Sequence, residues 1–159
     1  MARQVSHRRA RAHDVQGDGE PLLLIPYTSA DHACYAFQLP AYIERFSCIA
    51  IDLPGSGESD KPPIDFVRGR PAQPVAAFLA QLDAVVAHDA TGALSEIEAP
   101  TLITFGARDL VCSTRFADPL RTIADSELVV FDHLSHAGLH EDPETFNRAT
   151  LDFLLRHPG

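Results

Sequence analysis

LPGSGESDKPP, residues 53–63, is the stretch on which the reading of this chain turns. Gly57-Glu58-Ser59 begins like G-x-S-x-G, the sharp strand-to-helix turn that exposes a nucleophilic serine, but Lys61 stands where the second glycine belongs. The apolar run CIAID (48–52) ends before this stretch, and Pro54, Gly55 and Gly57 intervene before Ser59. Pro62 and Pro63 disfavour helix at the residues ahead of them and remove backbone donors. Strand–turn–helix geometry is therefore not expected at Ser59. The stretch reads instead as a glycine-rich loop that follows a strand.

Working outward, CIAID has three companions of the same kind: LLLI (22–25), TLITF (101–105) and ELVVF (127–131). All are apolar nearly throughout rather than alternating, as strands of a parallel sheet buried on both faces tend to be. Helical spacing fills the intervals. After Pro74, apolar Val75, Phe78, Leu79, Leu82, Val85 and Val86 recur at steps of three and four, which predicts a buried stripe with Gln81, Asp83 and Asp89 facing outward. Pro74 suits the first helical turn. Asp142-Pro143 opens a last helix expected to run through Phe146, Thr150, Phe153 and Leu154 to Arg156. Less regular helical pieces, one interrupted by Pro40 and one containing Pro119, join the first two and the last two strands. Strands alternating with helices imply an α/β three-layer sandwich with a mainly parallel sheet and right-handed crossovers. One domain over 1–159 is expected, long enough to bury a core.

Composition narrows the class of partner. The formal charge of −9 argues against nucleic acid, since phosphate binding needs a basic face. The one basic cluster, Arg3, Arg8, Arg9 and Arg11, reads as a solvated segment. It has no apolar run after it, so it does not resemble a secretory signal, and no stretch approaches the length of a membrane span. Cys34, Cys48 and Cys112 are odd in number and lack C-x-x-C spacing, which points to free thiols and a cytoplasmic location.

The loop and its surroundings resemble a known family. DLPGSGESDKP is similar to the D-x-P-G-x-G-x-S-D loop after the fourth strand of α/β-hydrolase-fold proteins. GDGEPLLLIPYTSADHACYAFQLPAYIERFSCIAIDLPGSGESD resembles the N-terminal part of that family, its ester and lactone hydrolases most of all. APTLITFGARDLVCS resembles the seventh strand and acid loop, and ELVVFDHLSHAGLHEDPETFNRATLDFL the last strand, histidine loop and final helix. The resemblance implies that Asp109 is the triad acid and His136 the triad histidine, in the family's order of acid before histidine. It also implies a hydrolase of small carboxylic esters or lactones that uses no cofactor and no metal.

Two departures matter. The family's His-Gly after the first of these strands is replaced by Pro26-Tyr27-Thr28-Ser29, and Pro26 has no N–H to offer a developing oxyanion. Between Asp60 and the helix near Pro74, about a dozen Pro- and Gly-containing residues stand where the nucleophile strand, its elbow, a further strand and the cap belong, too few for one crossover unit. An internal shortening with its junction at about 62–74 is expected. Closing the gap would give the strand order CIAID-LLLI-TLITF-ELVVF, with an extra edge if residues near Gln4 to Val15 pair as well. Leaving it open would expose a strand edge through which a homodimer forms. Closure makes Ser29 the leading surviving nucleophile, ahead of Thr28, Ser56 and Cys34, with Tyr27, Thr28 and Ser56 as binding residues. A turn or N-cap hydroxyl ahead of Asp31 is the plainer role for Ser29.

His133, His136 and His140 with Asp132 and Glu141 have the look of a metal cluster, but they fall on a loop with no second ligand pair. His32 and His88 read as ordinary surface or helix-end histidines. Three functional readings follow: a low-rate hydrolase using Ser29 or a water activated by His136; a non-catalytic descendant that binds a ligand or partner; and a truncated product with no function of its own.

Overall fold

The computed structural model describes residues 13–59 and 75–158. The arginine cluster at positions 3–11, Asp60, the junction at 62–74 and Pro74 lie outside the described residues. The chain divides into two compact units, Met1–His88 and Asp89–Gly159, each an α/β arrangement built on a pair of parallel strands. No helix among the described residues is long and apolar enough to cross a membrane.

In the first unit, β1 (His13–Gln16), β2 (Glu20–Leu24) and β3 (Phe46–Ile51) form a sheet of order β1-β3-β2. β2 runs parallel to β3 with Leu24 opposite Ala50, and β1 runs antiparallel to β3 with His13 opposite Ile51. β3 alternates, burying Phe46, Cys48 and Ala50. A 3-10 turn (His32–Tyr35), capped by the Asp31 carboxylate accepting from Ala33 N–H, and α1 (Leu39–Tyr42) cross from β2 to β3. Pro40 falls in the first turn of α1, where its missing N–H has no helical partner to lose.

α2 (Val75–Ala87) corrects an expectation. Val75, Phe78, Leu79, Leu82, Val85 and Val86 are all exposed, and Ala77 is the buried residue. The helix turns its Ala77–Gln81 face, one turn apart, onto the loop after β3. A Cβ on Gly55 would lie 2.8 Å from the Ala77 Cβ, so Gly55 is what admits the helix at that spacing. Gln81, read from sequence as outward, instead anchors the contact: its amide nitrogen donates to Pro54 O (3.5 Å) and Ser56 Oγ (3.3 Å), while its Oε1 accepts from Ser29 N–H (3.2 Å). Helical periodicity finds an apolar stripe but not the neighbour that receives it. β2 likewise buries Leu24 and leaves Leu23 exposed, rather than being covered on both faces.

In the second unit, β4 (Thr101–Gly106) and β5 (Ser126–Phe131) pair in parallel, from Thr101 opposite Ser126 to Gly106 opposite Phe131. A 3-10 turn (Thr91–Glu96) precedes β4; a second (Thr114–Phe116) and α3 (Ala117–Leu120) cross between the strands. α4 (Gly138–Glu141) and α5 (Pro143–Arg156) follow β5. Ile103, Phe105 and Ala117 form the core, with Leu120 and Leu128 packed against it. Asp142 caps α5 and Pro143 opens it, at the position the sequence predicts. At the other end of α5, Arg156 makes a two-pronged ion pair with Glu127 (2.7 and 2.8 Å).

Within each unit the apolar runs pair in parallel, CIAID beside LLLI and TLITF beside ELVVF.

Gly106 closes β4 under the loop that follows β5. A Cβ there would lie 2.4 Å from the carbonyl oxygens of both Leu134 and Ser135. Gly106→Ala should therefore force the two loops apart and destabilise by about 1–3 kcal/mol, the usual range for overpacking. Urea unfolding of the two proteins, compared at equal slope, checks this.

Candidate functional site

Parallel pairing in register explains how Asp109 and His136 meet. Gly106 and Phe131 are the last residues of β4 and β5 and stand opposite each other. The loops after them leave the same end of the sheet, the end where α/β ligand sites sit. Two backbone bonds zip these loops together: Ala107 N–H donates to Phe131 O (2.9 Å) and Arg108 N–H to Leu134 O (3.0 Å). Asp109 is then fixed by a tight turn, its N–H donating to Gly106 O (3.1 Å).

Its carboxylate is occupied on both sides. Oδ1 accepts the Val111 and Cys112 N–H groups (2.7 and 2.8 Å), and Oδ2 lies 3.0 Å from His136 Nδ1. Desolvation alone would push this buried carboxyl up. The bonds from His136, Cys112 and Val111 outweigh it and hold Asp109 below the ordinary range. An ionised carboxylate only accepts, so the shared proton resides on Nδ1 and leaves Nε2 with a free lone pair. The Asp109 side chain is 7% exposed and that of His136 55%, so the acid is shielded while the base is reachable.

Glu141 brackets the histidine, a role the sequence did not reveal. It accepts from Ser135 N–H (2.8 Å) and Ala137 N–H (3.2 Å), on either side of His136, and from the Ser135 hydroxyl. These bonds, the hydroxyl's first, keep the Glu141 carboxyl low. His133 Nε2 goes elsewhere, to Asp142 Oδ2 at 2.8 Å. The histidine-rich loop therefore spends its side chains on separate partners. It does not converge them on one point.

His136, Asp109 and Cys112 line a cavity of about 270 Å³ whose walls are Phe105, Phe131, Leu134, Leu139 and Phe146. That is just under the span of about 300–1,000 Å³ typical of small-molecule sites, which suits a small substrate. The arrangement offers an oriented base beside an apolar hollow, and with it proton abstraction from water or a hydroxyl.

The other sequence-derived residues belong to the first unit. Ser29 is exposed at φ 70°, in a turn closed by Ala30 N–H donating to Tyr27 O (3.1 Å). Tyr27 and Thr28 are exposed in the same turn. Ser56 is buried, its Oγ accepting from Gln81. Cys34 is buried, and desolvation raises its thiol to about 11, far from a thiolate at neutral pH. Ser59 is also buried and donates to Asp52 O (2.8 Å), the position of a structural hydroxyl.

No family model matches the chain. Among solved structures, it is similar to an esterase from Exiguobacterium antarcticum, with a TM-score of 0.83 at 15% identity over 96% of this chain and 98% of that one. It is similar to a thermophilic esterase from Thermogutta terrifontis, with a TM-score of 0.74 at 18% identity over 94% of each chain. A hydrolase from Pseudomonas aeruginosa PA01 matches with a TM-score of 0.74 at 17% identity over 96% of this chain and 97% of that one.

Asp142 supplies a pH signature. The backbone N–H of Thr145, then His133, pull its carboxyl from the ordinary 3.8 to about 2. A carboxyl lowered on folding stabilises fully above its unfolded value and loses that contribution as pH falls through its folded one. Wild type should accordingly lose stability more steeply between pH 3.8 and about 2 than Asp142→Asn, which keeps a cap acceptor without titrating. Parallel acid titrations followed by circular dichroism check this.

Proposed function

Because the chain has the α/β-hydrolase fold, we propose that it hydrolyses small carboxylic esters or lactones slowly, with His136 as general base and Asp109 as its orienting partner. The observation carrying this is the 3.0 Å contact of His136 Nδ1 with a shielded carboxylate, beside an apolar cavity. Water held at Nε2 gives up a proton as its oxygen attacks the substrate carbonyl. Asp109 stabilises the imidazolium that forms, and the same proton passes to the departing alkoxide, leaving an acid and an alcohol. A lactone gives one hydroxy acid.

A low rate is expected because the His-Gly that follows the first of these strands in the family is replaced here by Pro26-Tyr27, and Pro26 has no N–H to offer. Loss of one such donor costs about a hundredfold or more. The cavity's size favours short acyl groups.

Activated acetate and butyrate esters test the reading. His136→Ala and Asp109→Asn should each lower kcat/KM by about a hundredfold or more. Equal rates in all three proteins, or none above buffer, would remove the enzymatic reading. Ligand-dependent thermal stabilisation without turnover would identify a binding protein instead.

A further inference from the structure

His136 rides on a short loop, and the two acids that lead into the final helix decide where that loop stands. Asp142 takes its beginning: Oδ2 lies 2.8 Å from His133 Nε2, while Oδ1 accepts Thr145 N–H (3.1 Å) at the start of α5. Glu141 takes the part that carries the base. Its Oε2 accepts Ser135 N–H (2.8 Å), and its Oε1 accepts Ala137 N–H (3.2 Å) and the Ser135 hydroxyl. The amides of the residues on either side of His136 are thus tied to one carboxylate.

The contact with Asp109 does not by itself fix the ring. One hydrogen bond at Nδ1 leaves the imidazole able to swing about it, and the His136 side chain is more than half open to solvent. What limits the swing is the backbone that carries the side chain, and reacting groups tolerate little misplacement. Three donors converge on Glu141, and a carboxylate, acceptor-only on both oxygens, takes all of them. A carboxamide has one acceptor oxygen and would turn its own N–H against a backbone N–H. The strip so held includes Ser135, His136, Gly138 and Leu139 of the cavity lining, whereas the Phe105, Phe131 and Phe146 walls stand on β4, β5 and α5.

We propose that Glu141 is a positioning residue for His136: by holding the Ser135 and Ala137 amides it keeps Nδ1 on Asp109 and aims Nε2 at the cavity. The inference rests on the hydrolase reading for its effect on turnover, and on the geometry alone for its effect on the ring. Glu141 acts through His136 and touches no reacting atom.

The test pairs turnover of an activated acetate ester with a readout that needs no turnover, the exchange with water of the His136 Nδ1 proton, seen as a downfield resonance and assigned by its absence in His136→Ala. The first unit supplies an internal reference in the His32 Nδ1 proton, since that nitrogen lies 2.9 Å from Oδ1 of the fully buried Asp52. Glu141 is exposed, so replacing it leaves the core untouched. In Glu141→Gln the His136 proton should exchange about tenfold faster with the His32 proton unchanged, and kcat should fall about ten- to a hundredfold with KM within about twofold. Glu141→Asp keeps the charge but draws it back by one methylene, and should fail in the same way. Unaltered exchange at His136 in Glu141→Gln would overturn the proposal. So would equal acceleration at His136 and His32, which reports general loosening, or wild-type behaviour of Glu141→Asp, which makes charge rather than placement the active element. Absence of turnover in wild type would remove the hydrolase reading alone, and proton exchange would then decide the positioning role.

Discussion

A carboxylate can accept on both of its oxygens, and Asp109 uses both at once. One side takes the Val111 and Cys112 N–H groups of its own loop; the other takes the ring of His136 from the next. The arrangement works only because Gly106 lets the two loops touch and because β4 and β5 end opposite each other. Shifting one strand by a single residue would turn its side chains to the opposite face and dissolve the pair. The chemistry of the second unit thus rests on register first and on residue type second.

Asp52 meets the same demand in a different way. Asp109 lies on the loop after the first strand of its pair and reaches forward to a histidine beyond the second. Asp52 lies beyond the second strand and reaches back to a histidine beyond the first. Each acid is buried, each is saturated by backbone donors, and each leaves its imidazole partly open to solvent. The glycine-rich loop at 53–59, which invites reading as a serine-presenting turn, owes its shape to this burial. It coils around Asp52, with Glu58 N–H on the carboxylate and the Ser59 hydroxyl on the Asp52 carbonyl.

Much of this was legible in the sequence, and the remainder was not for definite reasons. Apolar runs mark β2 to β5 closely, because their composition and length are local properties. The start of α5 is legible because Asp142-Pro143 combines a cap acceptor with a residue suited to the first turn. Asp109 and His136 come from motifs, and pairing in register brings them together. The orientation of α2 was illegible: an apolar stripe defines a face, while Ala77 and Gln81 decide which face finds a partner. His32 passed for an ordinary histidine because its acid lies 20 positions away, beyond another strand. Glu141 drew notice only as a member of a metal-like cluster, since a side chain that binds its own neighbouring loop leaves no spacing pattern to mark it as a bracket.

Among the described residues, those that make the Asp109–His136 pair and line its cavity lie between Thr104 and Phe146, on one unbroken piece of chain. The loops, the Glu141 bracket and the walls are supplied from inside that piece. An arrangement so closed upon its own sequence is portable: insertion, loss or exchange of polypeptide upstream can rewrite the rest of a protein while carrying this cassette along intact.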